Sequence, residues 1–288
     1  MTSLSDLYSP IVMGLLLGGL YALIALGLSL VFGVMKLINV AHGDLVVLGS
    51  YLAYAAMAIF GVDPILSLIV GMPLLFVIGF GIQKFLLSRA FKISMEAPLI
   101  IAFGISIILQ NIFQIFWSPL SRGLTTSYAL NFFSLGSLRI PLVHLLNFVV
   151  SLAAMLLLRE FMRRTYLGRA ITAASQDRRA SQLMGINNER IYAFAFAIAM
   201  AIAALAGVCL GLTFPFTPIS GVQFLIIAFG VVVLGGLGSI PGTFIGGLII
   251  GLAQTLGGYF FGTTAQMLVA YIIVLVILTT RPQGLFGR

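Results

Sequence analysis

Charged residues are scarce in this chain. Only 8% of the 288 residues are Asp, Glu, Lys or Arg, whereas 61% are hydrophobic, and the mean hydropathy is +1.18. Soluble domains carry roughly 25% charged residues, so a water-soluble fold could not hide this much apolar surface. The composition therefore predicts an all-α, polytopic integral membrane protein.

Side chains that bind metals or perform catalysis are also few. The single cysteine, Cys209, excludes a disulfide within the chain, and the two histidines, His42 and His144, lie far apart. Neither HExxH nor the P-loop pattern GxxxxGK[ST] occurs. The apolar runs hold almost no ionisable groups, which argues against an ion-coupled pump and against catalysis in the membrane. We expect no catalytic residue, metal or cofactor on this chain, which fits a conduit powered from elsewhere for a neutral or zwitterionic solute.

Long apolar runs predict eight or nine membrane spans, since a helix needs roughly 20 residues to cross the hydrocarbon core. The predicted spans cover residues 9–34, 45–62, 64–83, 97–121, 140–158, 191–213, 221–234, 242–257 and 264–280. The last four divide the uncharged stretch 191–280 at "FPFTPISG", "GGLGSIPG" and "GGYFFGTT". Because 221–234 and 242–257 are short, one or both are expected to be broken or partial. Residues 1–288 form a single transmembrane domain.

Lys and Arg are concentrated in two predicted loops, 84–92 and 159–190. By the positive-inside rule both loops are cytoplasmic. Arg281 and Arg288 place the C-terminus on the same side, and counting spans backwards places the N-terminus in the periplasm. The outer segment 122–139 carries two arginines and is a mild exception.

Glycines recur with the spacing GxxxG. The pairs are Gly14/Gly18, Gly207/Gly211, Gly238/Gly242, Gly242/Gly246 and Gly247/Gly251. Small residues one helical turn apart allow helices in lipid to approach closely. We interpret most of them as packing positions, with a path lining as the alternative.

The stretch "INVAHGD" places Asn39, His42 and Asp44 hard against apolar runs. One interpretation is a water-exposed cytoplasmic turn in which Asp44 accepts hydrogen bonds from the first amides of span two. The other is a hydrogen-bonded break between half-helices that lines or gates the inner end of a pathway. The stretch "LGSIPG" also interrupts apolar runs, and paired breaks are typical of transporter repeats, which raises the option of an internal repeat.

The segment 159–190 contains a predicted amphipathic helix from Arg169 to Met184, and Gly185 supplies its stop. One face of this helix is small, because it carries Ala170, Ala173, Ala174, Asp177, Ala180, Ser181 and Met184. The helix either lies on the lipid surface or docks into a groove on a partner protein.

Four separated motifs resemble the branched-chain amino acid ABC transporter permeases of the LivH type. They are "GLLLGGLYALIALGLSLVFGVMKLINVAHGDLVVLGSYLAY", "YLGRAITAASQDRRASQLMGINNERIYAFAFAIAMAIAALAGV", "GGLGSIPGTFIGGLIIG" and "LTTRPQGLFGR". The resemblance implies a bacterial inner-membrane permease that works by alternating access. It also implies a second related permease, two cytoplasmic ATPase subunits that use ATP in trans, and a periplasmic solute-binding protein.

The resemblance also implies roles for particular residues. The pathway or gate would include Asn39, His42, Gly43, Asp44, Gly238 and Pro241. The segment that docks on the ATPase would include Gly168, Ala173, Ala174, Asp177, Arg178 and Gly185. Such loops commonly carry Glu before the alanine pair, whereas Thr172 stands there in this chain, so Asp177 or Arg178 would make the polar contact. A urea or short-amide permease, and in another class a stand-alone channel or secondary carrier, are the alternatives.

Overall fold

The computed structural model describes residues 4–94, 96–135, 138–281 and 283–287, so Arg288 lies outside the described residues. The chain is almost entirely helical. The helices are α1 Leu4–Met35, α2 His42–Phe60, α3 Leu68–Gly81, α4 Ser88–Ala90, α5 Ala97–Trp117, α6 Leu142–Arg164, α7 Tyr166–Gln176, α8 Arg178–Leu183, α9 Asn188–Thr213, α10 Ser220–Gly235, α11 Ile240–Phe261 and α12 Gln266–Thr280. A π-helical turn, Ile82–Leu87, joins α3 to α4, and an antiparallel hairpin of β1 Phe132–Leu135 and β2 Leu138–Pro141 precedes α6.

Eight helical segments within the described ranges are long and apolar enough to cross a membrane, which confirms the predicted fold class. The helix α10 is the short one: its 16 residues extend only about 24 Å at 1.5 Å per residue. Of the two predicted short segments, only 221–234 is short, because 242–257 belongs to α11, which extends over 22 residues from Ile240 to Phe261.

The two most buried helices are α1 and α9, with α11 packed on α1 and α2 packed on α9. The glycine pairs let these helices approach closely: a side chain on Gly251 of α11 would overlap the backbone of Gly14 and Gly18 of α1. On α9, a side chain on Gly207 would overlap Val46 of α2. Close approach of this kind allows dispersion contacts to hold helices together in lipid. Few residues of the peripheral helices α3, α5, α6 and α12 are buried within the bundle.

Two helices begin inside the bundle. His42, the first residue of α2, contacts the carbonyl of Ile24, which lies eleven residues before the end of α1. Segment 36–41 therefore runs back along α1 before α2 starts. The start of α10 contacts the start of α2, since Gly221 packs against Gly43 and Asp44. Segment 214–219 reaches this point from the opposite end of the bundle, where α9 ends. The stretch that meets "INVAHGD" is thus "FPFTPISG", whereas Gly238 of "LGSIPG" packs on Gly33 near the end of α1.

The predicted single helix from Arg169 to Met184 is wrong, because the structure divides it into α7 and α8 at Asp177. The backbone of Asp177 is extended, with φ −144°, and its carboxylate accepts hydrogen bonds from the amides of Arg179 at 2.8 Å and Ala180 at 2.9 Å. Aspartate is among the preferred N-cap residues, so it begins a new helix here. Gly185 has φ +82° and ends α8, as its sequence position predicts.

Candidate functional site

A polar cluster lies between α2 and α5, in the interior of the bundle. The Ser106 hydroxyl donates a hydrogen bond to the Asp44 carboxylate. The Gln110 amide lies 3.3 Å from each Asp44 oxygen and 3.2 Å from the Ser106 hydroxyl. Ser106 and Gln110 are one helical turn apart, so they present their polar groups to the same point. Asp44 is only 1% exposed and Ser106 is buried, whereas Gln110 is half-buried.

The interpretation of "INVAHGD" as a water-exposed turn is wrong. Asn39, His42 and Asp44 are all buried. Ala41 is the N-cap residue of α2, and no side chain accepts a hydrogen bond from the first amides of this helix. Asp44 therefore does not cap its own helix. The Nε2 atom of His42 lies 2.8 Å from the carbonyl oxygen of Ile24 and must carry the proton, because a carbonyl only accepts. The stretch is therefore a hydrogen-bonded break between helices.

Two helix N-termini converge on the Asp44 carboxylate. A side chain on Gly43 would overlap the carbonyl of Gly221, and one on Gly221 would overlap the Asp44 carboxylate. The positive ends of α2 and α10 therefore both lie close to Asp44, where they favour its negative charge. Among the ion pairs of the described ranges, which join Lys92, Arg163 and Arg164 to glutamates, none involves Asp44.

Aromatic side chains continue the contact between α2 and α5 beyond the polar cluster. The Tyr51 ring lies 4.8 Å from the ring of Phe113, 4.9 Å from that of Trp117 and 5.0 Å from that of Phe216. Beyond it, Arg122 pairs through its backbone with Phe216 and stacks its guanidinium 5.5 Å from another tyrosine ring, that of Tyr54. We call the polar cluster together with the four rings of Tyr51, Phe113, Trp117 and Phe216 the α2–α5 seam.

Ser106, Gln110 and the aromatic group are not among the site residues predicted from the sequence. A signal was present, because "SIILQNIFQIFW" carries polar residues inside an apolar run at helical spacing. Polar residues in a span face the protein interior or a water-filled cavity. Which of the polar residues meets Asp44 depends on how α5 packs, and that information is absent from the local pattern.

Gly238 and Pro241 lie apart from the polar cluster. They line a cleft of about 660 Å³ at the basic side of the bundle, the side that carries segment 159–190. Ser29 and Gly33 of α1, Arg159 of α6 and Thr172 of α7 line the same cleft. The structure thus divides the predicted pathway residues into an interior group, Asn39 to Asp44, and a group at the basic end of α1 and α11.

The predicted docking residues differ in accessibility. Gly168 and Ala174 are buried against their own chain, and a side chain on Gly168 would overlap Phe161 and Met162 of α6. Ala173 is half-buried, whereas Asp177, Arg178 and Gly185 are exposed. The amides of Ala180 and Arg179 hold the pKa of the Asp177 carboxyl below its usual value.

The most exposed apolar side chains of this segment lie at the end of α8. Leu183 is 88% exposed and Met184 is 83% exposed. The expected docking face is therefore only partly accessible: Ala170, Ala174 and Ser181 are buried against the permease itself, whereas Asp177, Ala180 and Met184 of the same face are exposed. We call residues 177–185 the tip of this segment.

Comparisons with known proteins agree on one family. The family model described as the permease component of branched-chain amino acid transport systems matches residues 10–278. The chain is 36% identical to the high-affinity branched-chain amino acid transport permease BraD of Pseudomonas aeruginosa, over 96% of this chain and 95% of that protein. It is 33% identical to the permease LivH of Escherichia coli K12, over 96% of this chain and 94% of that protein.

A solved structure shares the fold at lower sequence identity. It is PsaBC from Streptococcus pneumoniae in complex with Fab, with a TM-score of 0.54 and 15% identity over 95% of this chain and 92% of that chain. This likeness covers nearly the whole bundle and concerns the fold alone.

Proposed function

This chain belongs to the family of branched-chain amino acid transport permeases, and we propose that it is the membrane subunit through which an ABC importer moves branched-chain or other hydrophobic amino acids. The observation that carries the proposal is the family match over residues 10–278. The chain supplies the passage and its gate. ATP is bound and hydrolysed in trans by partner subunits.

The α2–α5 seam is the proposed pathway and gate. Its polar end consists of Asp44, Ser106 and Gln110 in the interior of the bundle, and its aromatic end closes toward Arg122. On the outward face of α5, Asn111 and Gln114 are exposed, although α5 is a membrane span. Polar side chains in a span favour a partner helix or a water-filled cavity over lipid. We therefore expect this face of α5 to meet the second permease of the importer.

The proposed contact with the ATPase is the tip from Asp177 to Gly185. Its exposed Leu183 and Met184 lie in the most basic loop of the chain. By the positive-inside rule this loop faces the cytoplasm of a bacterial cell, and exposed apolar side chains mark a site of protein contact. We propose an assembly of two permeases, two ATPase subunits and a periplasmic binding protein, in the inner membrane, with the N-terminus outside and the C-terminus inside.

The test is reconstitution of the chain with its ATPase, partner permease and binding protein in proteoliposomes. We expect ATP-dependent uptake of labelled leucine, isoleucine and valine, and none when the ATPase subunits carry a P-loop lysine substitution. Labelled urea, offered in the same assay, tests the short-amide alternative. Uptake of urea without uptake of leucine would overturn the substrate assignment, and uptake without ATPase subunits would indicate a channel or carrier.

A further inference from the structure

We propose that Asp44 is the group that receives the ammonium of the transported amino acid, when α5 separates from α2. This inference rests on the proposed function. An ionised side chain inside a membrane protein is costly, and such groups are normally paired with an opposite charge. Within the described parts of the chain, Asp44 has only the neutral donors Ser106 and Gln110. The permease thus keeps a carboxylate in its interior that lacks a cationic partner, and an amino acid brings one.

The surroundings of Asp44 match the other two parts of a branched-chain amino acid. The N-termini of α2 and α10 lie beside the carboxylate, and neither helix has a side-chain cap on its first amides. Uncapped helix N-termini favour an anion such as the substrate carboxylate. Tyr51, Phe113 and Trp117 lie along the same seam and offer an apolar surface to an aliphatic side chain.

The seam is closed in this structure, and α5 is the element best suited to open it. Only 17% of the residues in the apolar stretch of α5 are buried in the bundle, against 50% in α2 and 78% in α9. The polar contacts that tie α5 to Asp44 come from Ser106 and Gln110. Ser106 and Gln110 donate hydrogen bonds to the carboxylate oxygens that an ammonium would contact. In the closed seam these two side chains therefore take the place of the substrate. The arriving substrate would replace them, and the exchange links binding to separation of the helices.

Two variants that change the hydrogen bond between Ser106 and Asp44 distinguish a structural role of Asp44 from a role in substrate recognition. Asp44→Asn keeps the shape and an acceptor oxygen but removes the charge. Ser106→Ala removes the donor and leaves the charge. If Asp44 only anchors α5, Asp44→Asn, which can still accept from Ser106, loses no more activity than Ser106→Ala. If Asp44 binds the ammonium, Asp44→Asn loses clearly more than Ser106→Ala, because a charge-assisted hydrogen bond is roughly twice as strong as a neutral one.

The experiment measures initial uptake of labelled leucine by the complete importer in proteoliposomes, with uptake divided by the amount of assembled complex. We expect a loss of about tenfold or more for Asp44→Asn, which is what about 1.4 kcal/mol of lost binding produces. For Ser106→Ala we expect a loss no larger than about threefold, because Gln110 still donates to Asp44 in the closed seam and the carboxylate remains free to bind the ammonium. Asp63→Asn, which removes the charge of a half-buried carboxylate outside the helices but keeps an acceptor oxygen for Ile65 and Tyr128, is the matched control and should transport like the wild type.

Equal losses in Asp44→Asn and Ser106→Ala would overturn the inference, as would an Asp44→Asn importer that retains half of the uptake or more. Failure of Asp44→Asn to accumulate in the membrane would also overturn it, because the carboxylate would then be needed for the fold. The proposed function fails separately, if the wild-type importer moves no amino acid at all.

Discussion

Replacement of Gly43 by alanine should destabilise the bundle at the point where α2 and α10 meet. The added methyl group would overlap the carbonyl oxygen and carbon of Gly221 and would lie 3.0 Å from the Cβ atom of Leu225. Two of these atoms are backbone, so no change of rotamer relieves the contact and one helix must shift. Insertion of a methyl group into a close-packed interior costs about 1–3 kcal/mol. Higher helix propensity of alanine offsets at most about 1 kcal/mol of this loss.

The loss can be measured by unfolding the purified chain with SDS in mixed micelles. The single tryptophan, Trp117, lies in the seam and reports unfolding by fluorescence. Gly104→Ala on α5 is the matched control, because no atom lies within 4 Å of the position where its methyl group would stand. We expect Gly43→Ala to unfold at lower SDS than the wild type and Gly104→Ala to unfold at the same or higher SDS. The proposed close approach of α2 and α10 is wrong if Gly43→Ala is as stable as the wild type.

Two further predictions concern side-chain hydrogen bonds. Asp177→Ala should fray α8, whereas Asp177→Asn should retain the cap; hydrogen exchange of residues 178–184 measures the difference. Because backbone amides lower the pKa of Asp177, its cap is fully present above the ordinary carboxyl pKa and is lost as pH falls through the lowered value. Unchanged exchange in Asp177→Ala would contradict the cap. Tyr21→Phe should cost about 1–3 kcal/mol, because it leaves the buried Gln254 oxygen, which now accepts from Tyr21 at 2.6 Å, without a partner. SDS unfolding checks this, and an unchanged midpoint would refute it.

The spans could be predicted because hydrophobic length is a local property. The predicted span 191–213 lies within α9, Asn188–Thr213, and the prediction of a short segment at 221–234 agrees with α10, Ser220–Gly235. Span two begins three residues earlier than predicted. The reason is that His42, Gly43 and Asp44 look like a polar loop in sequence but are buried in the first turn of α2. Polarity indicates a loop only where the segment reaches water.

The cytoplasmic segment shows the limit of helical periodicity. A period of 3.6 residues assigns Ala170, Ala174 and Ser181 to one face, and the structure buries all three. The pattern therefore identified some of the residues that pack, but it did not show that they pack on the permease itself, nor that Asp177, Ala180 and Met184 of the same predicted face are exposed. Asp177 interrupts the helix because its side chain competes for the backbone amides, an effect that a purely hydrophobic periodicity does not include.

The candidate site depends on contacts between residues that are distant in sequence. Gly43 meets Gly221, and Asp44 meets Ser106, so no local pattern around "INVAHGD" reveals its partners. What the sequence does contain is two breaks, each of which follows a long buried helix, α1 or α9. In the structure these breaks enter from opposite ends of the bundle and start α2 and α10 at a common point. Discontinuous helices in corresponding positions are typical of transporter repeats, and their N-termini supply the binding site. A carboxylate between two such N-termini suits a zwitterion, because the carboxylate attracts the ammonium and the helix N-termini attract the substrate carboxylate. No basic side chain is needed at this point.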